Sequence, residues 1–363
     1  MLVLLSQQRN NIILDSGSQQ LKLIGRLYDE CHMTLVQFVD FLSTKCASAS
    51  TKTAAEASSA YCQILPDITV LLTDYKMQPG VAFHITRPSF SNYLRNGGLL
   101  ASAASSASAD TAAAIAAHNS PVGTEVLSAV KQSLHADVWK SMNPNLFSVF
   151  WSLSLYDIYT PSQKYESAKS TLQNGLKRNE TELRTLDQHS KVARDLRRDQ
   201  RSKQNAIDDL NTEFRVQKDN ERIVRRWLQQ QKLTFIEGCE RIEHTPQCFL
   251  QHCILPRALF SPEDAYFCAM FTAILNELHT PRWSSLNYYD KLHRCLASVV
   301  YCITEREAAN LGIFLQETLR LLERWNNPKI YTNECANKPG FSISIRQASG
   351  QRATFDQYVK ICK

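Results

Sequence analysis

The sequence predicts an all-α protein, a solenoid-like repeat of antiparallel helices that carries one long charged helical hairpin. Three observations predict this class. Breakers are scarce, with 11 Gly and 12 Pro in 363 residues, which favours long helices over a many-turned β protein. Apolar residues recur at helical spacing along most of the chain. Period-two alternation is absent over any useful length, so strand content is expected to be almost nil.

The elements follow in order. In residues 20–42, Leu23, Leu27, Leu35, Phe38, Val39 and Leu42 fall on one helical face. Tyr61 to Tyr75 reads as two short helices around Pro66. QPGVAFHITRP reads as a connector, because Pro79-Gly80 and Pro88 break helices. Residues 1–100 thus form a helical segment. Residues 101–120 are a low-complexity Ala/Ser insert with little apolar surface to bury. Residues 121–163 hold helices buried on nearly all faces, including NLFSVFWSLSLYDIYT.

Residues 164–237 change character: charge dominates and Pro is absent. One narrow stripe runs Leu172, Leu176, Leu183, Leu186, Ala193, Leu196. A second runs Ile207, Leu210, Phe214, Val224, Leu228. The stripes do not share one heptad register, so two helices in a hairpin are expected, with the bend near Gln200–Gln204. Residues 238–363 return to short capped helices. Ser261-Pro262-Glu263-Asp264 is an N-cap, a Pro at the first helical position and two acids in the first turn. Thr304-Glu305-Arg306-Glu307 is a capping box. Short links between such helices imply antiparallel neighbours. The abrupt start and the uncapped FDQYVKICK end read as cuts in a longer chain.

Composition limits the chemistry. The net charge of +6 is mild and does not by itself mark a nucleic-acid binder. Eleven scattered Cys, without a CxxC pair, suit a reducing cytosol or nucleus rather than a disulfide framework. The first residues lack the pattern of a signal peptide, and no stretch approaches the ~20 apolar residues of a membrane span. No phosphate loop, GxGxxG or GxSxG occurs. Cys248, His252 and Cys253, and likewise His293, Cys295 and Cys302, read as core packing rather than metal ligands. Glu263 and Asp264 read as helix-dipole acids. Phe147, Phe150, Trp151, Tyr156 and Tyr159 read as core rather than a base-stacking platform. No catalytic, metal or cofactor residues are assigned. The best nucleic-acid candidates are Arg194, Arg197, Arg198 and Arg201, which share one helical face, followed by Lys203 and by Arg222, Arg225 and Arg226. The competing reading is a solvated face balanced by Asp187, Asp195, Asp199, Asp208 and Asp209.

Ordered blocks give the chain a family resemblance. F-W-x-L-x-x-Y-D matches Phe150, Trp151, Leu153, Tyr156 and Asp157. F-L-Q-x-C-x-x-P-R matches Phe249, Leu250, Gln251, Cys253, Pro256 and Arg257. S-x-x-D-A-x-x-C-A matches Ser261, Asp264, Ala265, Cys268 and Ala269. Thr280-Pro281, then Tyr289-Asp290, and Thr304, Glu305, Glu307 and Ala308 follow. Arg324-Trp325 and Glu334, Cys335, Asn337, Pro339, Gly340 and Phe341 close the series. These blocks resemble the THO complex subunit 2 family. Trp283 stands where that family has Phe, and Ile313 where it commonly has a basic residue. The resemblance implies a nuclear helical scaffold that organises the other THO subunits. It also implies coupling to a DEAD-box RNA helicase and to messenger RNA export. Two rival classes are a direct RNA-binding module using the basic face and an unrecognised enzyme, which would need a deep pocket with convergent polar groups.

Overall fold

The computed structural model describes residues 1–14, 17, 20–49, 65, 67–93, 123–185, 190–342 and 352–362. The 101–120 insert, Leu186 and Asp187 lie outside the described residues. Among the described residues the chain is all-α, with a lone bridge between Ser342 and Arg352 and no strand. No helix among them is long and apolar enough to cross a membrane. The chain divides into two compact units, Met1–Leu155 with Arg226–Lys363, and Tyr156–Arg225.

The larger unit opens with α1 (Leu2–Leu14), α2 (Leu21–Ala49), α3 (Ile68–Thr73) and α4 (Pro79–Tyr93). The expectation of a connector at QPGVAFHITRP is corrected by α4. Pro79 sits at its start, where the missing amide costs nothing, and Pro88 is carried inside it. Burial of Val81, Phe83 and Ile85, at about 1.5–3 kcal/mol each, outweighs the roughly 3 kcal/mol of an internal Pro. Next come α5 (Thr124–Ser133), α6 (Ala136–Trp139), α7 (Pro144–Ser152) and α8 (Leu155–Ile158), the last crossing into the second unit.

After the smaller unit, α11 (Thr245–Phe249) and α12 (Leu255–Ala258) are joined through a π turn, Leu250–Ile254. Then follow α13 (Pro262–Glu277), α14 (Ser285–Tyr301), α15 (Glu305–Trp325), α16 (Pro328–Glu334) and α17 (Phe355–Cys362). The caps expected at Ser261 and Thr304 both form, the second as a reciprocal capping box. The core is a chain of aromatic rings. Phe150 lies 5.1–5.7 Å from Trp151, Phe249, Phe267 and Phe271. Ring contacts continue from Phe249 through Trp283, Tyr288, Tyr289, Trp325 and Phe341 to Tyr331.

The smaller unit is an antiparallel hairpin of α9 (Ser162–Thr185) and the first part of α10 (Lys191–Gln231). The Tyr165 hydroxyl lies within hydrogen-bond distance of Glu213 and Gln217, Lys169 donates to Asn211, and Asn179 to Asp199. Partner numbers fall as donor numbers rise, which is the signature of antiparallel pairing. The bend expected near Gln200–Gln204 is corrected: α10 runs unbroken there, α9 having ended at Thr185 and α10 begun at Lys191. Nothing in residues 196–210 breaks a helix, whereas the Ser190 hydroxyl accepts from the Ala193 amide and starts α10. In the seam Lys203 lays its alkyl stem against Gly175.

Candidate functional site

The hairpin's basic stripe is assembled as the spacing implies. Arg194, Arg197, Arg198 and Arg201 are all exposed on α10, within about 100° of helix circumference at 100° per residue. The seam residues Ala193 and Ile207 are buried, about 90° and about 130° round the wheel from the middle of that stripe. None of the four arginines pairs with a carboxylate among the described residues. Asp199, one of the acids expected to balance them, is held by Lys203 at 2.5 Å and by Asn179 at 2.6 Å. Its carboxyl is accordingly lowered, first by the Lys203 hydrogen bond and then by Asn179. The balancing charge is therefore partly spent inside the hairpin.

In the larger unit a second polar cluster is fully enclosed. Arg257 of α12 is completely buried and its fork serves three acceptors. Nε donates to Asp264 at 2.7 Å, Nη2 to the Leu153 carbonyl at 2.7 Å, and Nη1 to the Phe150 carbonyl. Those carbonyls end α7, where a helix leaves acceptors without partners. Arg87 of α4 adds a contact to Asp264 at 2.8 Å and to the Trp151 carbonyl at 3.4 Å. The guanidinium of Arg257 also stands 3.5 Å over the Phe267 ring. Ser261 caps α13 by accepting from the Asp264 amide and turns its own hydroxyl to the carboxylate.

The electrostatics follow from this enclosure. Burial alone would raise the Asp264 carboxyl, but Arg87 and Arg257 together hold it well below the usual carboxylate range. Asp264 is thus an ionised structural anchor in the first turn of α13, where both acids stand as expected; of the two only Glu263 is exposed. A carboxylate saturated in this way is a poor proton acceptor. His84 of α4 lies 3.9 Å from Asp264, and neither ring nitrogen has a hydrogen-bond partner. Burial first and Arg87 second push it down to about 3, against the pull of Asp264.

A folded-state value below the unfolded one means that the unfolded chain binds the extra proton. The stability due to neutral His84 is therefore complete above its ordinary pKa of 6.5 and is lost as pH falls toward 3. The Asp264 contribution is complete above 3.8 and is lost only below that. Between pH 6 and 4 the unfolding free energy is expected to fall by up to about 1.4 kcal/mol per pH unit from His84. His84→Phe should flatten that slope by about one proton in urea titrations at stepped pH; an unchanged slope would remove His84 as its source.

The remaining candidates disperse. Cys248 faces the Val138 carbonyl and Cys253 faces the Met142 sulfur, while His252 lines a cavity. His293 meets the Tyr289 carbonyl, Cys295 meets the Leu292 carbonyl, and Cys302 is exposed. Among the described residues no group of three or more His, Cys, Asp and Glu could hold a metal ion. Phe147, Phe150 and Trp151 are core, but Tyr156 is half exposed. Sequence reading missed the buried cations Arg9 and Arg257 and the partly buried Arg87. Arg257 is set between apolar residues, but Arg9 lies in the polar stretch SQQRNN, and neither pattern has a period of its own.

The sequence blocks converge on this frame. Arg257, Asp264 and Ser261 form the enclosed cluster, Thr304 and Glu307 the capping box, and Trp325 donates to Glu334 at 3.2 Å. Residues 139–363 match the family described as transcription factor/nuclear export subunit protein 2. The chain is similar to THO complex subunit 2 of Arabidopsis thaliana, 32% identical over 99% of this chain and 20% of that protein. It is similar to THO complex subunit 2 of Homo sapiens, 30% identical over 96% of this chain and 21% of that protein. Similarity to the Saccharomyces cerevisiae protein of the same name is 28% over 54% of this chain and 11% of that protein. The chain thus spans about a fifth of the length of the first two relatives.

Proposed function

The chain belongs to the THO complex subunit 2 family, and on that premise we propose that it is a non-catalytic scaffold segment of a nuclear THO complex, acting in messenger RNA processing and export. The single observation that supports this is where the shared blocks lie. They build helix caps, the aromatic chain and the Arg257–Asp264 anchor, which is the inventory of a rigid frame rather than of a reaction centre. The proposed partners are the other THO subunits and a DEAD-box RNA helicase. Such a frame acts by raising the effective concentration of what it holds. The all-α helices suit a solenoid-like stack in the intact protein, with the five segments 1–100, 101–120, 121–163, 164–237 and 238–363 as its parts. Affinity purification of the full-length protein tests this. Recovery of THO subunits that is lost when residues 1–363 are deleted is the expected result. Recovery unchanged by that deletion would defeat the scaffold role.

A second reading has its own support, the exposure of Arg194, Arg197, Arg198 and Arg201 with no carboxylate paired to them among the described residues. In that reading the stripe follows an RNA backbone. Changing all four to Gln is expected to shift stability by less than about 1 kcal/mol, since exposed charges contribute little. If each touches one phosphate, the slope of log affinity against log salt should drop by roughly 3 for single-stranded RNA. The scaffold reading expects the quadruple variant to keep its subunits and lose only weak, salt-sensitive affinity. Tight wild-type binding at near-physiological salt that vanishes in the variant, with assembly intact, would reverse the order of the two readings.

A further inference from the structure

The larger unit contains a cavity of about 330 Å³ that none of Arg87, His84, Arg257 or Asp264 lines. It is large enough for a small organic molecule. Its wall includes Arg9 of α1, which is only 4% exposed. Nη1 of Arg9 lies 3.1 Å from His32 Nδ1, and Nη2 donates to Gln78 at 2.6 Å. His32 Nε2 is 2.7 Å from the Phe260 carbonyl, so it carries the ring proton and leaves Nδ1 to accept from Arg9. Both partners of Arg9 are therefore neutral. Its Nε has no hydrogen-bond partner, and no carboxylate among the described residues pairs with it. Glu307, also on the wall, accepts from the Thr304 amide at 2.9 Å and interacts with Arg9 through charge alone, with no hydrogen bond between them.

Arg9 stands over the Tyr28 ring, 5.5 Å from its centroid, and feels the Glu307 charge without forming an ion pair with it, so its burial is only partly compensated and leaves room for a negative guest. The first residues of α4, Pro79 to Val81, line the cavity, which brings the positive end of that helix dipole to it. The π turn at Leu250–Ile254 places Gln251 and His252 on the same wall, and such turns are rare and frequent at functional sites. The rest of the lining is apolar, with Phe147, Trp151 and Pro256 among it. We propose that this cavity binds a small organic anion, a carboxylate or phosphate group carried on an aromatic or aliphatic body. The anion meets Arg9 and the start of α4, and the apolar body packs against Trp151 and Phe147.

The test is calorimetric titration of the 363-residue chain with phenyl phosphate, benzoate and inorganic phosphate at constant ionic strength. One saturable site is expected. The better of the two aromatic anions should bind at least roughly tenfold more tightly than inorganic phosphate, because only it fills the apolar wall. Whether phosphate or carboxylate wins identifies the anionic group. Arg9→Met should abolish saturable binding while circular dichroism reports an intact helical fold. Gln251→Glu alters an exposed side chain at the cavity, so folding is spared even if Arg9→Met fails to fold. It brings a negative charge to the wall and should weaken the aromatic anions by roughly tenfold. Absence of saturable binding by every probe, or equal binding by wild type and Gln251→Glu, would overturn the proposal.

Discussion

Asp264→Ala is expected to lower the unfolding free energy of the larger unit by about 3–5 kcal/mol, the range for removing one partner of a buried ion pair. The reason is an imbalance of charge. Among the described residues Asp264 is the one carboxylate paired with both Arg257, fully buried, and Arg87, 12% exposed at its side chain. Without it two guanidinium groups share an enclosed space with no anion. Arg257→Met should cost less, because Asp264 keeps Arg87 at 2.8 Å. What that variant loses is the fork on the Phe150 and Leu153 carbonyls, which leaves two helix-end acceptors unsatisfied. The double variant Arg257→Met with Asp264→Leu should then lose less than the sum of its parts, since no pair is left half broken and Arg87 retains some access to water. Urea unfolding followed by near-ultraviolet circular dichroism measures all three. Additive losses in the double variant would mean that the two residues act separately and that the cluster is not a unit.

Helix class and caps were legible in the sequence because each is set locally. Spacing of apolar residues fixes the face, and Ser261 and Thr304 are followed at the right distance by the groups they bind. The shared blocks carried the family for a related reason: they are short, ordered and specific. Two errors came from weighing local breakers without burial. Pro79, Gly80 and Pro88 argued against α4, yet its apolar residues are enclosed by segments far away in sequence. The shift between leucine stripes argued for a bend at Gln200–Gln204, yet α10 runs through it, and polar pairs such as Asn179 with Asp199 join the two helices there as well as apolar ones. The Arg257–Asp264 anchor and the Arg9 cavity were illegible for a stronger reason. Arg87 and Asp264 are 177 positions apart, and Arg9 and Gln78 are 69 apart. No spacing rule spans such distances. A basic residue on a predicted helix is read as exposed unless something shows the charge that meets it.

Trp151→Ala is the other change with a large expected effect, about 3–5 kcal/mol, as for truncating a large core aromatic. Trp151 is 2% exposed and touches the rings of Phe147 and Phe150. It also closes on backbone: a Cβ added at Gly80 would stand 2.7 Å from Cη2 of the indole. The indole and the start of α4 thus fit only because position 80 has no side chain, although its backbone needs no glycine for conformation. Gly80→Ala is therefore expected to destabilise by overpacking, about 1–3 kcal/mol. In a Trp151→Ala background the same methyl group meets open space, and the cost of Gly80→Ala should vanish or reverse, as alanine fits a helix better than glycine by about 1 kcal/mol. The four proteins of this cycle, measured by the same urea unfolding, separate contact from propensity. A cost for Gly80→Ala that is the same with and without the indole would show that Trp151 does not press on α4, and the frame would have to be held at that point by something else.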